Sequence, residues 1–262
     1  MRSFIVKSGD DLRKEQLAMQ LIEFCQKIFQ LEGLDIFLRP YQIMSTGYHS
    51  GLVEFIEGSQ SVDRIKKSFS VPKGSSVNLK DHFTFSFGAP YSFVYSKAVH
   101  NFVKSLVGYS LVTFLLQVKD RHNANIMIDN EGHLIHIDFG FILGGNYKNI
   151  EILIIVINSS DSPGFNINFE SAPFKLTSEY IDIMGGIDSI AFKNFEDLFL
   201  RGFLALQKHI DGFTSIAQVK YIYVYIKAYI VQHLSNKYLI AFFLPIKMIE
   251  IYELIQIEKY NS

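Results

Sequence analysis

An α+β fold is what this sequence predicts, and three patterns predict it. Short β-rich runs crowd the first sixty residues: Ser3–Lys7, Asp35–Met44 and Gly51–Glu57. Long segments then repeat apolar residues every three or four positions, at Leu12–Phe29, Ser92–Val118 and Ile190–Ile210, which is the period of one helix face. Between the last two lies a pair of β-rich runs, Ile126–Ile128 and His133–Ile137, divided by Asp129-Asn-Glu-Gly132. That divider is a turn signal, so the pair reads as a hairpin.

Taken in order, the first strand Ser3–Lys7 ends at Ser8-Gly-Asp-Asp11, where Asp11 is placed to cap the following helix. That helix presents Leu17, Met19, Leu21, Ile22, Cys25 and Ile28 at core spacing. Two further strands enclose a loop. Gly58–Val77 is polar and carries Lys66, Lys67 and Lys73, so it reads as a linker holding a short helix. Asn78 is a suitable cap for a small helix reaching Phe83. Ser92–Val118 is apolar on most sides and reads as a buried supporting helix. Thr177 is a natural N-cap with Glu179 in the first turn, and Gly185-Gly186 stops that helix. Ile190–Ile210 is amphipathic through Phe192, Phe195, Leu198, Phe199, Phe203 and Leu206.

The chain has 262 residues and a formal net charge of −1, which leaves no nucleic-acid footprint. Its single cysteine, Cys25, lies in the apolar run Leu21-Ile-Glu-Phe-Cys and reads as core. No His/Cys spacing suggests zinc. No signal-peptide pattern opens the sequence, which makes an intracellular setting the expectation. The uncharged runs at residues 152–157 and 238–246 fall short of the ~20 residues of a spanning helix.

Chemistry concentrates in Asp120-Arg-His-Asn-Ala-Asn125 and His136-Ile-Asp-Phe-Gly140. Phosphoryl transfer from ATP needs a group to receive a hydroxyl proton, plus an amide and a carboxylate from two segments to hold a divalent cation. Asp120 and Asn125 have the separation of the Asp and Asn in a protein kinase's H-R-D-x-x-x-x-N loop, and an Asp-Phe-Gly follows at Asp138. The intervening hairpin would deliver Asn125 from one end and Asp138 from the other. A strand lysine paired with a helix carboxylate aligns ATP phosphates in kinases. Lys7 and Glu15 are the candidates.

These motifs carry a resemblance. Asp-Arg-His-x-x-Asn with His-Ile-Asp-Phe-Gly resembles the phosphatidylinositol 3-/4-kinase superfamily. Leu115-Leu-Gln-Val-Lys-Asp-Arg-His-Asn and Ile135–Leu143 are most similar to the type III phosphatidylinositol 4-kinases, and Phe174–Gly186 to their beta form. The resemblance covers residues 4–213. It implies a two-lobed protein-kinase-like fold of the lipid-kinase type. Residues 1–56 would form part of a small β-rich lobe, residues 57–213 a larger helical lobe, and residues 214–262 a divergent tail. It implies ATP as cofactor with Mg²⁺ (or Mn²⁺) at Asn125 and Asp138. Phosphatidylinositol in a membrane would be the substrate, and the setting cytoplasmic and peripheral on Golgi-type or plasma membranes. Lys7 would steady the phosphates, and Glu15 would contact Lys7 or Tyr41. Val53 would line the adenine pocket, with the Glu54 carbonyl and Ile56 amide bonded to adenine. The resemblance favours His122 as the base, although Asp120 holds that position by spacing. Arg121 is expected to brace the loop, and His136 to be structural.

Between Phe141 and Ala172 one lysine, Lys148, faces Glu151, Asp161 and Glu170. Members acting on already phosphorylated inositides carry basic runs here, so this balance favours plain phosphatidylinositol. Residues 144–162 read as an insertion with an apolar middle, closer to translated intron than to a membrane contact. A phosphate-binding loop precedes the lysine strand in relatives, so the chain reads as an incomplete catalytic domain. Two other readings share some of these residues: a related protein Ser/Thr kinase, and a non-catalytic kinase remnant.

Overall fold

The computed structural model describes residues 3–69, 78–116, 118–142 and 174–218. The expected insertion at 144–162, the basic Lys73 loop and the tail beyond residue 218 lie outside them. Helices and two small antiparallel sheets are mixed along the chain, as an α+β reading requires.

The first sheet is built from β1 (Phe4–Ser8), β2 (Ile43–Gly47) and β3 (Ser50–Glu54), in the order β1-β3-β2. Lys7 stands opposite Gly51, while Val53 stands opposite both Ile5 and Ile43. Alternation therefore puts Lys7, Gly51 and Val53 on one face. Helix α1 (Arg13–Leu31) packs over β2. A side chain at Gly51 would strike the Met44 carbonyl and the Leu12 methyl at 2.5 and 2.6 Å, so glycine is what lets the start of α1 sit close to Lys7. Asp11 is not the cap residue. Leu12 occupies that position, and Asp11 instead accepts the Arg13 amide at 3.1 Å.

Residues 35–42, read as part of a strand, join neither sheet. Their backbone is satisfied elsewhere: the Phe37 amide donates to the Lys104 carbonyl at 3.2 Å, and Gln26 donates to the Leu38 carbonyl at 2.8 Å. Only Ile43 onward pairs as a strand. The stretch read as a linker contains β4 (Ser59–Ser61) and α2 (Val62–Ser68). β4 joins the expected hairpin, β5 (Ile126–Asp129) and β6 (Leu134–His136), in the order β4-β5-β6.

Helix α3 (Leu79–Phe87) is capped by Asn78, whose side chain accepts the Lys80 amide at 3.0 Å. Helix α4 (Phe93–Leu116) is long and apolar enough to cross a membrane, but 83% of its apolar window is buried inside this protein. It is the central core helix. The Ser105 hydroxyl on α4 receives the Leu134 amide at 2.8 Å and so fixes the hairpin against it. Helices α5 (Ser178–Met184), α6 (Ile190–Lys208) and α7 (Ile210–Gln218) follow. Thr177 caps α5, and Gly185 ends it in a left-handed turn. One apolar cluster runs through α1, both sheets, α4, α5 and α6. Cys25 belongs to it, and burial pushes its thiol far up, which makes it inert.

Candidate active site

Three segments meet around the two sequence motifs. Lys7 on β1 lies 3.7 Å from the Glu15 carboxylate on α1. Glu15 is buried at 4% exposure and accepts the Tyr41 hydroxyl at 2.6 Å. The Tyr41 oxygen in turn accepts the Asp138 backbone amide at 3.2 Å. Burial first, and then the Glu15 charge, push the Tyr41 phenol well up, so it stays protonated and donates. One chain of polar contacts thus links the strand lysine, the helix carboxylate and the Asp-Phe-Gly aspartate.

The hairpin sets the second group. Asn125 closes a one-turn 3-10 helix, Asn123–Asn125, immediately before β5. Its carbonyl receives the Ile137 amide at 3.0 Å, which lays the Asn125 backbone beside the residue preceding Asp138. The Asn125 amide nitrogen donates to the Asp120 carbonyl at 3.0 Å. Arg121 is almost fully buried at 1% exposure. Its guanidinium donates to the carbonyls of Lys119, Ile137 and Asp138 and lies over the Phe139 ring. It therefore ties the two motifs together at their backbones, the bracing role expected of it.

Asp120 and Asp138 both adopt left-handed backbone, with φ of 64° and 59°. Side chains other than glycine, asparagine and aspartate seldom do so, and such strain gathers at functional sites. His122 precedes the 3-10 turn and caps it with its own ring: Nδ1 accepts the Ala124 amide at 3.2 Å. Its Nε2 lies 3.7 Å from the Asp120 carboxylate. His136 is buried with its ring stacked on Tyr109 at 4.9 Å, and among the described residues its Nδ1 has no hydrogen-bond partner. Burial, with Arg121 and Lys175 nearby, drives its imidazole well down, so the ring is neutral.

Of the expected nucleotide-contact residues, Val53 and Glu54 lie on β3, and Ile56 follows it before the second sheet begins. Val53 is buried on the Lys7 face. The Glu54 side chain is itself buried, accepting the Gln42 amide at 2.8 Å and lying 3.2 Å from Arg39. Ile56 is buried and its carbonyl accepts the Ser59 hydroxyl at 2.7 Å. Residue by residue, the segment then enters β4, which packs against the 3-10 turn bearing Asn125.

A profile described as "Phosphatidylinositol 3- and 4-kinase" matches residues 2–219. This chain belongs to that family. Among curated relatives, phosphatidylinositol 4-kinase PIK1 of Saccharomyces cerevisiae is 43% identical over 226 residues, covering 83% of this chain and 20% of the yeast protein. A phosphatidylinositol 4-kinase of Dictyostelium discoideum is 43% identical over 217 residues, 17% of its length. Human phosphatidylinositol 4-kinase beta is 41% identical over 217 residues, 24% of its length. The chain thus spans a quarter or less of each of these relatives. Sequence reasoning assigned no site role to Lys175. Its ammonium donates to the Arg121 carbonyl at 2.9 Å and the Asn123 side chain at 3.2 Å. A lysine next to an N-capped helix carries no local signal of such a reach.

Proposed function

We propose that this chain is the catalytic domain of a phosphatidylinositol 4-kinase, transferring the ATP γ-phosphoryl group to the inositol 4-hydroxyl of phosphatidylinositol. The observation that carries the reading is the continuous polar link Lys7–Glu15–Tyr41–Asp138 beside the hairpin that holds Asn125. The names of the similar proteins support the lipid and the ring position. In this reading the β-rich first part and the helical remainder act as two lobes. Val53, the Glu54 carbonyl and the Ile56 amide receive adenine, and Lys7 holds the phosphates. The protein works at the cytoplasmic face of an intracellular membrane.

Asn125 Oδ1 and the Asp138 carboxylate are hard oxygen donors, and together they suit Mg²⁺. Among the described residues no group of three or more His, Cys, Asp or Glu gathers into a metal cage. A site that shares its cation with ATP phosphates needs no such cage. When bound, the cation would neutralise phosphate charge. The protein's own groups do the rest. With Nδ1 accepting the Ala124 amide, the ring nitrogen left to carry a proton is Nε2, on the side of Asp120. We therefore assign the Asp120 carboxylate as acceptor of the inositol hydroxyl proton. The His122 Nε2–H stands 3.7 Å from it and would donate toward the transferring group, the reverse of the roles that the family resemblance implies for the two residues.

Radiolabelled phosphate transfer from ATP to phosphatidylinositol vesicles, with products resolved by ring position, tests this. The expected product is the 4-phosphate. Label at another ring position, or label found only on an offered peptide, overturns the assignment.

A further inference from the structure

We propose that Lys175 is a positioning residue for phosphoryl transfer. Its single ammonium grips the residues on both sides of His122. The inference rests on the kinase reading above and adds to it a residue outside both motifs. Lys175 is itself held on either side. Phe174 packs against Phe199 of α6 at 5.3 Å, Leu176 is buried, and Thr177 caps α5 by accepting the Tyr180 amide at 3.3 Å. From this fixed base the side chain bonds the Arg121 carbonyl and the Asn123 Oδ1. The peptide between these anchors is the His122 turn, whose geometry lets the Ala124 amide reach Nδ1 and so settles which ring nitrogen is protonated. Asn123 also opens the 3-10 turn that ends at Asn125. One lysine therefore registers the helix following residue 174 against the catalytic loop. A conserved-charge replacement keeps part of this bond set, and an apolar one of equal length removes it.

The experiment compares wild type, K175M and K175R in the full chain. It measures kcat and KM with ATP and phosphatidylinositol vesicles, nucleotide Kd, thermal unfolding, and the His122 tautomer in ¹⁵N-histidine spectra assigned through H122Q. The expectation for K175M is a kcat lower by about 10- to 100-fold, the range for lost support and misplacement of reacting groups. The ATP KM and nucleotide Kd should stay within about two-fold, and the Nε2–H tautomer of His122 should lose its dominance. K175R should recover much of both. A K175M enzyme with unchanged kcat and tautomer overturns the proposal. So does a loss that appears only as weaker nucleotide binding, or one that tracks unfolding without rescue by arginine. If wild type transfers no phosphate to the lipid, the functional reading fails. The tautomer comparison still decides the role of Lys175.

Discussion

Asp120 and Asp138 place side-chain chemistry on backbone that favours glycine, with φ of 64° and 59°. A β-carbon in the left-handed region costs on the order of 1 kcal/mol, so the carboxylates are kept there against the local preference. Asp120→Gly and Asp120→Ala separate the two demands. Both should lose turnover by at least about 100-fold, but the glycine variant should be the more stable by about 1 kcal/mol in chemical denaturation. Equal stabilities would mean that the loop relaxes and no strain is held there. The motif letters announced Asp120, Asn125 and Asp138 because few other arrangements use those residues at that spacing. Tyr41, which joins Glu15 to the Asp138 amide, entered only through the family resemblance. Lys175 was missed altogether, since its partners are more than fifty residues away.

Elements were legible where one face is buried and invisible where pairing is polar. The α1, α4 and α6 segments show their period plainly, as does the β5–β6 hairpin with its Asp-Asn-Glu-Gly turn. Strand β4 reads Ser-Gln-Ser and takes its place only because β5 offers an edge, so nothing local signals it. Residues 35–42 have strand composition, yet α1 and α4 satisfy their backbone first. Gly108 in α4 marks that close approach: a β-carbon there would lie 2.5 Å from the Phe37 carbonyl and 3.0 Å from Leu38. Gly108→Ala gains up to about 1 kcal/mol of helix propensity. It also forces apart two backbones in a packed core, which costs typically 1–3 kcal/mol. The net expectation is a lower midpoint in urea, and an unchanged or raised midpoint would show that the segment yields. At the hairpin turn Asp129 accepts the Glu131 and His133 amides at 2.9 Å and faces the His133 ring at 3.0 Å. Burial works against its charge, but the His133 and Glu131 hydrogen bonds outweigh it, and its carboxyl lies below the usual range. A carboxyl depressed on folding stabilises the fold above its unfolded value of about 3.9 and loses that contribution as pH falls through the lower folded value. Asp129→Asn should therefore cost about 1–2 kcal/mol near pH 7. Thermal melts should show the gap from wild type closing below about pH 4.

At the scale of the whole molecule, the helix that supplies Glu15 is anchored far from the site. Toward its C-terminal end α1 sends Phe24 edge-on against Phe213 of α7 at 4.8 Å, and Phe213 has no exposed surface. Glu32, just past the end of α1, meets Lys208 at 2.8 Å and His209 at 2.7 Å. The two contacts differ in kind. The Lys208 side chain is 66% exposed, and an exposed ion pair is worth less than about 1 kcal/mol. Truncating a buried phenylalanine costs about 3–5 kcal/mol, a large share of a domain's 5–15 kcal/mol. Phe213→Ala should thus lower the unfolding midpoint sharply, whereas Lys208→Ala should leave it nearly unchanged. Because α1 also carries Glu15, loosening its far end should disturb the Lys7–Glu15 pair across the helix. Turnover of Phe213→Ala, measured well below its new midpoint, should fall more than that of Lys208→Ala. If both variants kept wild-type kcat while only the first lost stability, the anchor would be a matter of folding alone. Glu15 would then be held locally, by Tyr41 and the face of β1.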